Sequence, residues 1–226
     1  MSSSSEELKN VLENGDVEKA EILHTNFLEQ ERNNRNNRNI EIDLFNHNLS
    51  ISSICSGGHV NSLIWLGITR DNVEKKNVYQ CLLFALQNEK IEVCEWFREN
   101  FPLHDWMDEN YFFYENEPLF SLAHNLLRAA IGYGKLESVI WLFQHFEFFK
   151  NYISRHQFDC YRDRDSDILW AFKGRHFDIV CFFLTHEDYP KEEFKRLMNK
   201  IENKEDKKKM LELFEPIGMF TKAVKM

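Results

Sequence analysis

The chain has 226 residues, 43% of them apolar and 14% aromatic, and carries a formal net charge of −9 at pH 7. A chain this long buries about 70% of its unfolded surface and can support a real core. The acidic balance repels DNA, RNA and anionic lipid, so no nucleic-acid partner is expected.

The opening "MSSSSEELKN" has no basic or apolar core segment and is not expected to act as a secretory leader. No stretch of about 18 residues is apolar and uncharged, so neither a spanning helix nor a membrane partner is expected. The five cysteines, at 55, 81, 94, 160 and 181, are odd in number and form no Cys-x-x-Cys pair. That usage predicts reduced, packed thiols and a cytoplasmic (or nuclear) setting.

Along the chain one spacing recurs. Take Ile22, Trp65, Trp96, Trp141 and Phe182 as reference positions. The residues fourteen, eleven and ten before each are Leu8, Val11 and Leu12; Ile51, Ile54 and Cys55; Leu82, Ala85 and Leu86; Leu127, Ala130 and Ile131; and Ile168, Ala171 and Phe172. Five and two before stand Val17 and Ala20, Val60 and Leu63, Ile91 and Cys94, Leu136 and Val139, and Phe177 and Val180. One after come Leu23, Leu66, Phe97, Leu142 and Phe183. Offsets of three and four place each set on one helix face.

Between the two stripes sits a short polar break: "ENGD" (13–16), "SGGH" (56–59), "QNEK" (87–90), "GYGK" (132–135) and "KGRH" (173–176). Four of the five contain glycine, the residue that closes a helix in the left-handed conformation. Each copy therefore predicts a helix, a tight turn and an antiparallel helix. One such hairpin cannot bury both stripes alone, which leads to an all-α solenoid of about five stacked hairpins. The organisation expected is an N-terminal capping repeat at 1–30, an Asn/Arg-rich connection at 31–48, repeats over 49–189 with insertions at 103–118 and 150–167, and a C-terminal helical cap and tail at 190–226. Phe194, Leu197, Met198 and Ile201, then Met210, Leu211 and Phe214, supply the cap's apolar stripes.

The stretches "SICSGGHVNSLIWL" and "RAAIGYGKLESVIWL" resemble ankyrin repeats, with an alanine pair or its equivalent, a glycine turn and an apolar second helix. The likeness covers about 8–23 and 51–183 and is strongest at Gly58, His59, Ala129, Ala130, Gly134, Ala171 and Gly174. The family's Thr-Pro-Leu-His start is replaced by "LSIS", "QCLL", "NLLR" and "SDIL", which puts its inter-repeat β-hairpin in doubt. The long connections and the tryptophan column look like divergent ankyrin proteins of large DNA viruses and intracellular bacteria. A HEAT-like helical repeat is the alternative architecture. What the resemblance implies is a non-enzymatic protein-binding module, in a host cytoplasm or nucleus if viral.

Motifs that carry chemistry are weak. His156 and Cys160 are four apart without a second pair, and "DRDSD" (163–167) lacks the glycine and glutamate of a calcium loop, so neither a metal nor a cofactor is expected. Asp167 is expected to cap the following helix. Cys55, Cys94 and Cys181 fall on or beside core columns, His59 and His176 fall in turns, and Trp65, Trp96 and Trp141 are expected to pack between hairpins.

Two surfaces remain as partner sites. "LHDWMDENYFFYENEP" sets Trp106, Tyr111, Phe112, Phe113 and Tyr114 among carboxylates, including Asp108 and Glu109, with no Lys or Arg. Such a segment fits a protein partner with a basic surface; it could equally fold back as a satellite core. "ERNNRNNRN" places Arg32, Arg35 and Arg38 every third residue, as a linker or a small anion-binding patch. A structural subunit of a larger particle is the alternative to a binding module.

Overall fold

The computed structural model of the chain describes residues 3–33, 51–107, 122–147, 149, 167–185, 198–199 and 201–214. Among these the chain is all-helical, with twelve helices and no strand. They are α1 (Ser3–Glu13), α2 (Val17–Asn33), α3 (Ile51–Gly57), α4 (Val60–Trp65), α5 (Lys75–Gln87), α6 (Ile91–Asn100), α7 (Leu103–Met107), α8 (Leu122–Gly132), α9 (Leu136–His145), α10 (Asp167–Lys173), α11 (Phe177–Thr185) and α12 (Lys204–Phe214). Two compact units divide the chain between Ala129 and Ala130, inside α8.

The five polar breaks are the turns of five hairpins, α1/α2, α3/α4, α5/α6, α8/α9 and α10/α11. Each turn is closed by the same two backbone bonds. The N–H of Asp16, His59, Lys90, Lys135 and His176 reaches back five residues to the carbonyl of Val11, Ile54, Ala85, Ala130 and Ala171, at 2.8–3.1 Å. The N–H of the residue just before bonds the carbonyl three back, as in Gly15 to Leu12 (3.1 Å) and Gly134 to Ile131 (3.0 Å). This is the Schellman closure, which satisfies carbonyls that a helix end would otherwise leave without partners.

That closure requires a left-handed residue, and every turn has one: Gly15 (φ 77°), Gly58 (φ 86°), Glu89 (φ 57°), Gly134 (φ 68°) and Arg175 (φ 62°). The expectation of a glycine at this point holds in three turns. In "KGRH" the left-handed position belongs to Arg175 and not to Gly174, and in "QNEK" to Glu89. A side chain in this conformation costs roughly 1–2 kcal/mol.

A second demand accompanies the three glycines. The residue that ends one turn lies over the left-handed glycine of the turn before it. A Cβ on Gly15 would collide with the ring of His59, one on Gly134 with the ring of His176, and one on Gly58 would stand 3.0 Å from Lys90 Cδ. Glycine is therefore selected by both dihedral and space. Glu89 and Arg175 hold a side chain at the position where the other three turns have glycine. In the first hairpin the equivalent residue is Asp16, whose Oδ1 accepts from Lys19 N (3.0 Å) and caps α2.

In the first unit the first helices pack in the order α1, α3, α5 and the second helices in the order α2, α4, α6. The columns eleven, ten and two before the reference are buried in all five hairpins. The column five before is half-buried in all five, because it is the first residue of α2, α4, α6, α9 and α11 and sits at a helix rim. The reference column is graded: Ile22 is 60% exposed, Trp65 and Trp96 are half-buried, and Trp141 is 3% exposed. Trp65 meets His24 of the preceding hairpin edge-on (ring centroids 5.5 Å), as packing between hairpins requires, while Trp96 rests on Phe97 and Phe101. Ser62 lies in a core position and donates from Oγ to the Leu12 carbonyl (2.9 Å), joining the first two hairpins at the turn of α1.

In the second unit α9 packs on α11, with Phe143 against Phe182 (centroids 5.4 Å) and Phe183 (5.8 Å). The C-terminal segment folds onto this unit. Ile201 and Met210 are buried, Asn203 Oδ1 caps α12 by accepting from Glu205 N (2.8 Å), and Lys209 Nζ lies 4.6 Å from the Phe177 ring centroid. Met198 and Leu211 are half-buried, while Phe194 and Leu197, and the side chain of Phe214, lie outside the described residues.

The turn logic is tested by exchange. Gly134→Ala should lower stability by about 2 kcal/mol, and Glu89→Gly should raise it by up to about 1 kcal/mol, through relief of left-handed strain against glycine's entropy. Urea midpoints at constant slope measure both.

Candidate functional site

The acidic aromatic segment is described only at its start. Leu103 and Phe101 are buried, and Trp106, half-buried on α7, stands 6.1 Å from Phe101 between ring centroids. Lys75 Nζ lies 5.4 Å from the Trp106 ring centroid, so one face of this tryptophan is taken by a cation of the same chain. Such a contact contributes about 0.5–1 kcal/mol at an exposed site. Asp108, Glu109, Tyr111, Phe112, Phe113 and Tyr114 lie outside the described residues, as do Arg35 and Arg38 and most of the 150–167 connection, with His156 and Cys160. Arg32 falls in the last turn of α2, and its side chain is not among those described. Asp167, expected as a cap, is the first residue of α10 and is buried.

The groups that could carry chemistry are quiet. Cys55 on α3, Cys81 on α5 and Cys94 on α6 are buried in the first unit. A hydrogen bond to Cys81, then burial, holds the Cys55 thiol well above its ordinary range, and burial does the same to Cys94. Thiols in this state are protonated and are poor nucleophiles. Cys181 is partly exposed, and burial with nearby Asp178 raises it less. Among the described residues no three His, Cys, Asp or Glu side chains converge to hold a metal ion.

A polar cluster lies between α5 and α8. Tyr79 is hydrogen-bonded to Asn125, and burial pushes its hydroxyl up to about 12. His124, one turn before Arg128 on α8, is pushed down to about 4 by burial and then by the Arg128 guanidinium. It is neutral at pH 7. The turn histidines are structural in placement: the His176 ring fills the space over Gly134, with Nε2 3.3 Å from the Gly132 carbonyl.

What the described surface offers is aromatic and aliphatic area outside the core columns. Phe84 and Trp170 occupy the same position in their hairpins, twelve before the reference, and each is 37% exposed. Tyr133, in the turn between α8 and α9, is 61% exposed. These residues belong to neither apolar stripe. Their signal was a large ring at a position that the helical period assigns to solvent.

Two measurements follow from the titrating groups. Unfolding frees His124 to take up a proton near its ordinary value of 6.5, which the folded chain does not do until about 4. Stability is then level above about pH 7 and falls as the pH is lowered from 6.5 towards 4, by up to roughly 3 kcal/mol. His124→Gln should flatten that limb in pH-dependent urea melts. In a Cys160→Ser background, Ellman's reagent should modify Cys181 in the native protein and reach Cys55, Cys81 and Cys94 only on unfolding. Native reaction of the buried three would overturn their assignment as inert. Against family models, curated proteins and solved structures, the chain gives no match.

Proposed function

We propose that this chain is an ankyrin-like helical solenoid that binds another protein and performs no catalysis. The observation that carries the reading is the uniform turn. Five hairpins share one closure, which holds the intervening turns and exposed first-helix positions in a repeated frame while the connections vary. Repeated frames of this kind present side chains in rows to a partner, with sequence changes on the presenting side leaving the core untouched. The exposed Phe84, Tyr133 and Trp170 are of the residue classes that anchor interfaces. The acidic aromatic segment beginning at Trp106 is a second presenting surface, suited to a basic partner.

One observation favours an alternative, assembly into a larger particle. Ile22 and Ile64 are 60% and 57% exposed on α2 and α4, which pack on one another. If that face is an assembly surface, light scattering at rising concentration will show association, and Ile22→Glu with Ile64→Glu will abolish it.

The binding reading is tested by pull-down from candidate host extract, comparing the intact chain with a variant whose 104–117 segment is replaced by Gly-Ser. A stoichiometric partner held by the intact chain supports the reading, and its loss in the variant places the site at that segment. Absence of any specific partner, with self-association at rising concentration, would replace it with the assembly alternative.

A further inference from the structure

On a chain of net charge −9, two turns of the second unit gather three cations. Its two turns, 132–135 and 173–176, contain Lys135, Lys173 and Arg175 and no carboxylate. Lys173 and Arg175 are exposed and Lys135 is half-exposed. The two turns abut: His176 packs over Gly134, and the Trp170 indole rests on Gly132, where a Cβ would meet Cζ2 at 3.4 Å. Trp170 keeps 37% of its surface in solvent beside this seam, and Tyr133, next to Gly132, keeps 61%. The nearest acids in sequence, Glu137 and Asp178, stand in the first turns of α9 and α11.

Two features set this edge apart from an ordinary solvated turn. The cation at Arg175 holds the left-handed position of its turn, although the adjacent Gly174 shows that glycine is at hand in the same segment. Glu89 shares this conformation in its own turn but is half-buried, whereas Arg175 is exposed and has exposed rings beside it. Beside it lies a large ring whose removal would leave the turn closed, since the closing bonds are made by backbone atoms alone.

We propose that the turn edge formed by Tyr133, Lys135, Trp170, Lys173 and Arg175 docks an acidic peptide segment of a partner protein bearing an aromatic or large aliphatic side chain. The inference rests on the protein-binding reading and names a surface separate from the acidic segment at 104–117. The rings supply the buried area, and the three cations steer and orient the carboxylates. A short peptide suits the edge better than a nucleic acid. Three cations neutralise few phosphates, and a long polyanion would meet the charge of the whole chain.

The test uses fluorescence anisotropy on the full chain with a labelled peptide of alternating Glu-Glu-Phe. The comparison probes are its Lys-Lys-Phe counterpart and oligo(dT). The intact chain should bind the acidic peptide, more weakly as salt rises, and should bind neither comparison probe. Arg175→Gly relieves turn strain, so any loss of binding in it cannot come from unfolding. Combined with Lys173→Glu it should weaken the peptide by about tenfold, and Trp170→Ala by a similar factor. No binding, or binding unchanged in these variants, overturns the site. Oligo(dT) bound as tightly as the peptide, and lost in the same variants, overturns the choice of partner. A pull-down partner still held by the Arg175→Gly, Lys173→Glu chain, with no peptide binding, would sink this surface and leave the binding reading in place. No partner and no peptide would remove both.

Discussion

The fold depends on a single backbone device, the left-handed residue that reverses each hairpin. A helix cannot turn back on itself within four residues unless its last carbonyls find donors. The paired bonds at Asp16, His59, Lys90, Lys135 and His176 supply them. They also set register. Because the donor is always five residues after its acceptor, the first stripe of each hairpin faces its second stripe at a fixed offset. The burial of three columns in all five hairpins follows from that offset. Hydrophobic burial provides the larger free energy, but it acts without direction and would stabilise other pairings as well.

The same turns also join one hairpin to the next. A ring or an aliphatic stem placed on a bare glycine needs no polar partner and tolerates different chemistry, which is why histidine and lysine alternate there. Ser62 adds a directional bond at one such junction, to a carbonyl already shared with the turn of α1. Glu89 and Arg175 keep the left-handed geometry with a side chain in place of glycine. Charge has been admitted to the backbone position where glycine is best suited.

Much of this was legible before any coordinates, because apolar period and glycine placement are local signals. Leu8, Val11 and Leu12 announce a helix face as plainly as Leu127, Ala130 and Ile131 do. Where residue type misleads, tertiary context has overridden it. Ile22 has the same apolar character as Trp141 yet lies on the outside. Ser62 reads as polar and is buried, because its hydroxyl meets a carbonyl fifty residues away. Gly174 drew attention as the turn glycine while its neighbour took the strained conformation. Of the five aromatic rings in the acidic segment, Trp106 is the one among the described residues, and its contact with Lys75 spans a sequence distance that no local pattern reports. The basic turn edge was hidden because net charge averages over a surface whose patches differ in sign.

The constancy of the hairpin against the variety of its connections has a consequence for how such a chain can change length. From the first stripe to the reference residue the count never varies, whereas the reference residues are 43, 31, 45 and 41 apart. Lengthening is therefore quantised. Residues can be gained or lost one at a time in the connections, but within a hairpin one extra residue would rotate every later side chain by about 100° about the helix axis. Growth of the array itself can proceed only by whole hairpins. A covering side chain placed over the Arg175 turn, as His59 is placed over Gly15, would call for a glycine there first.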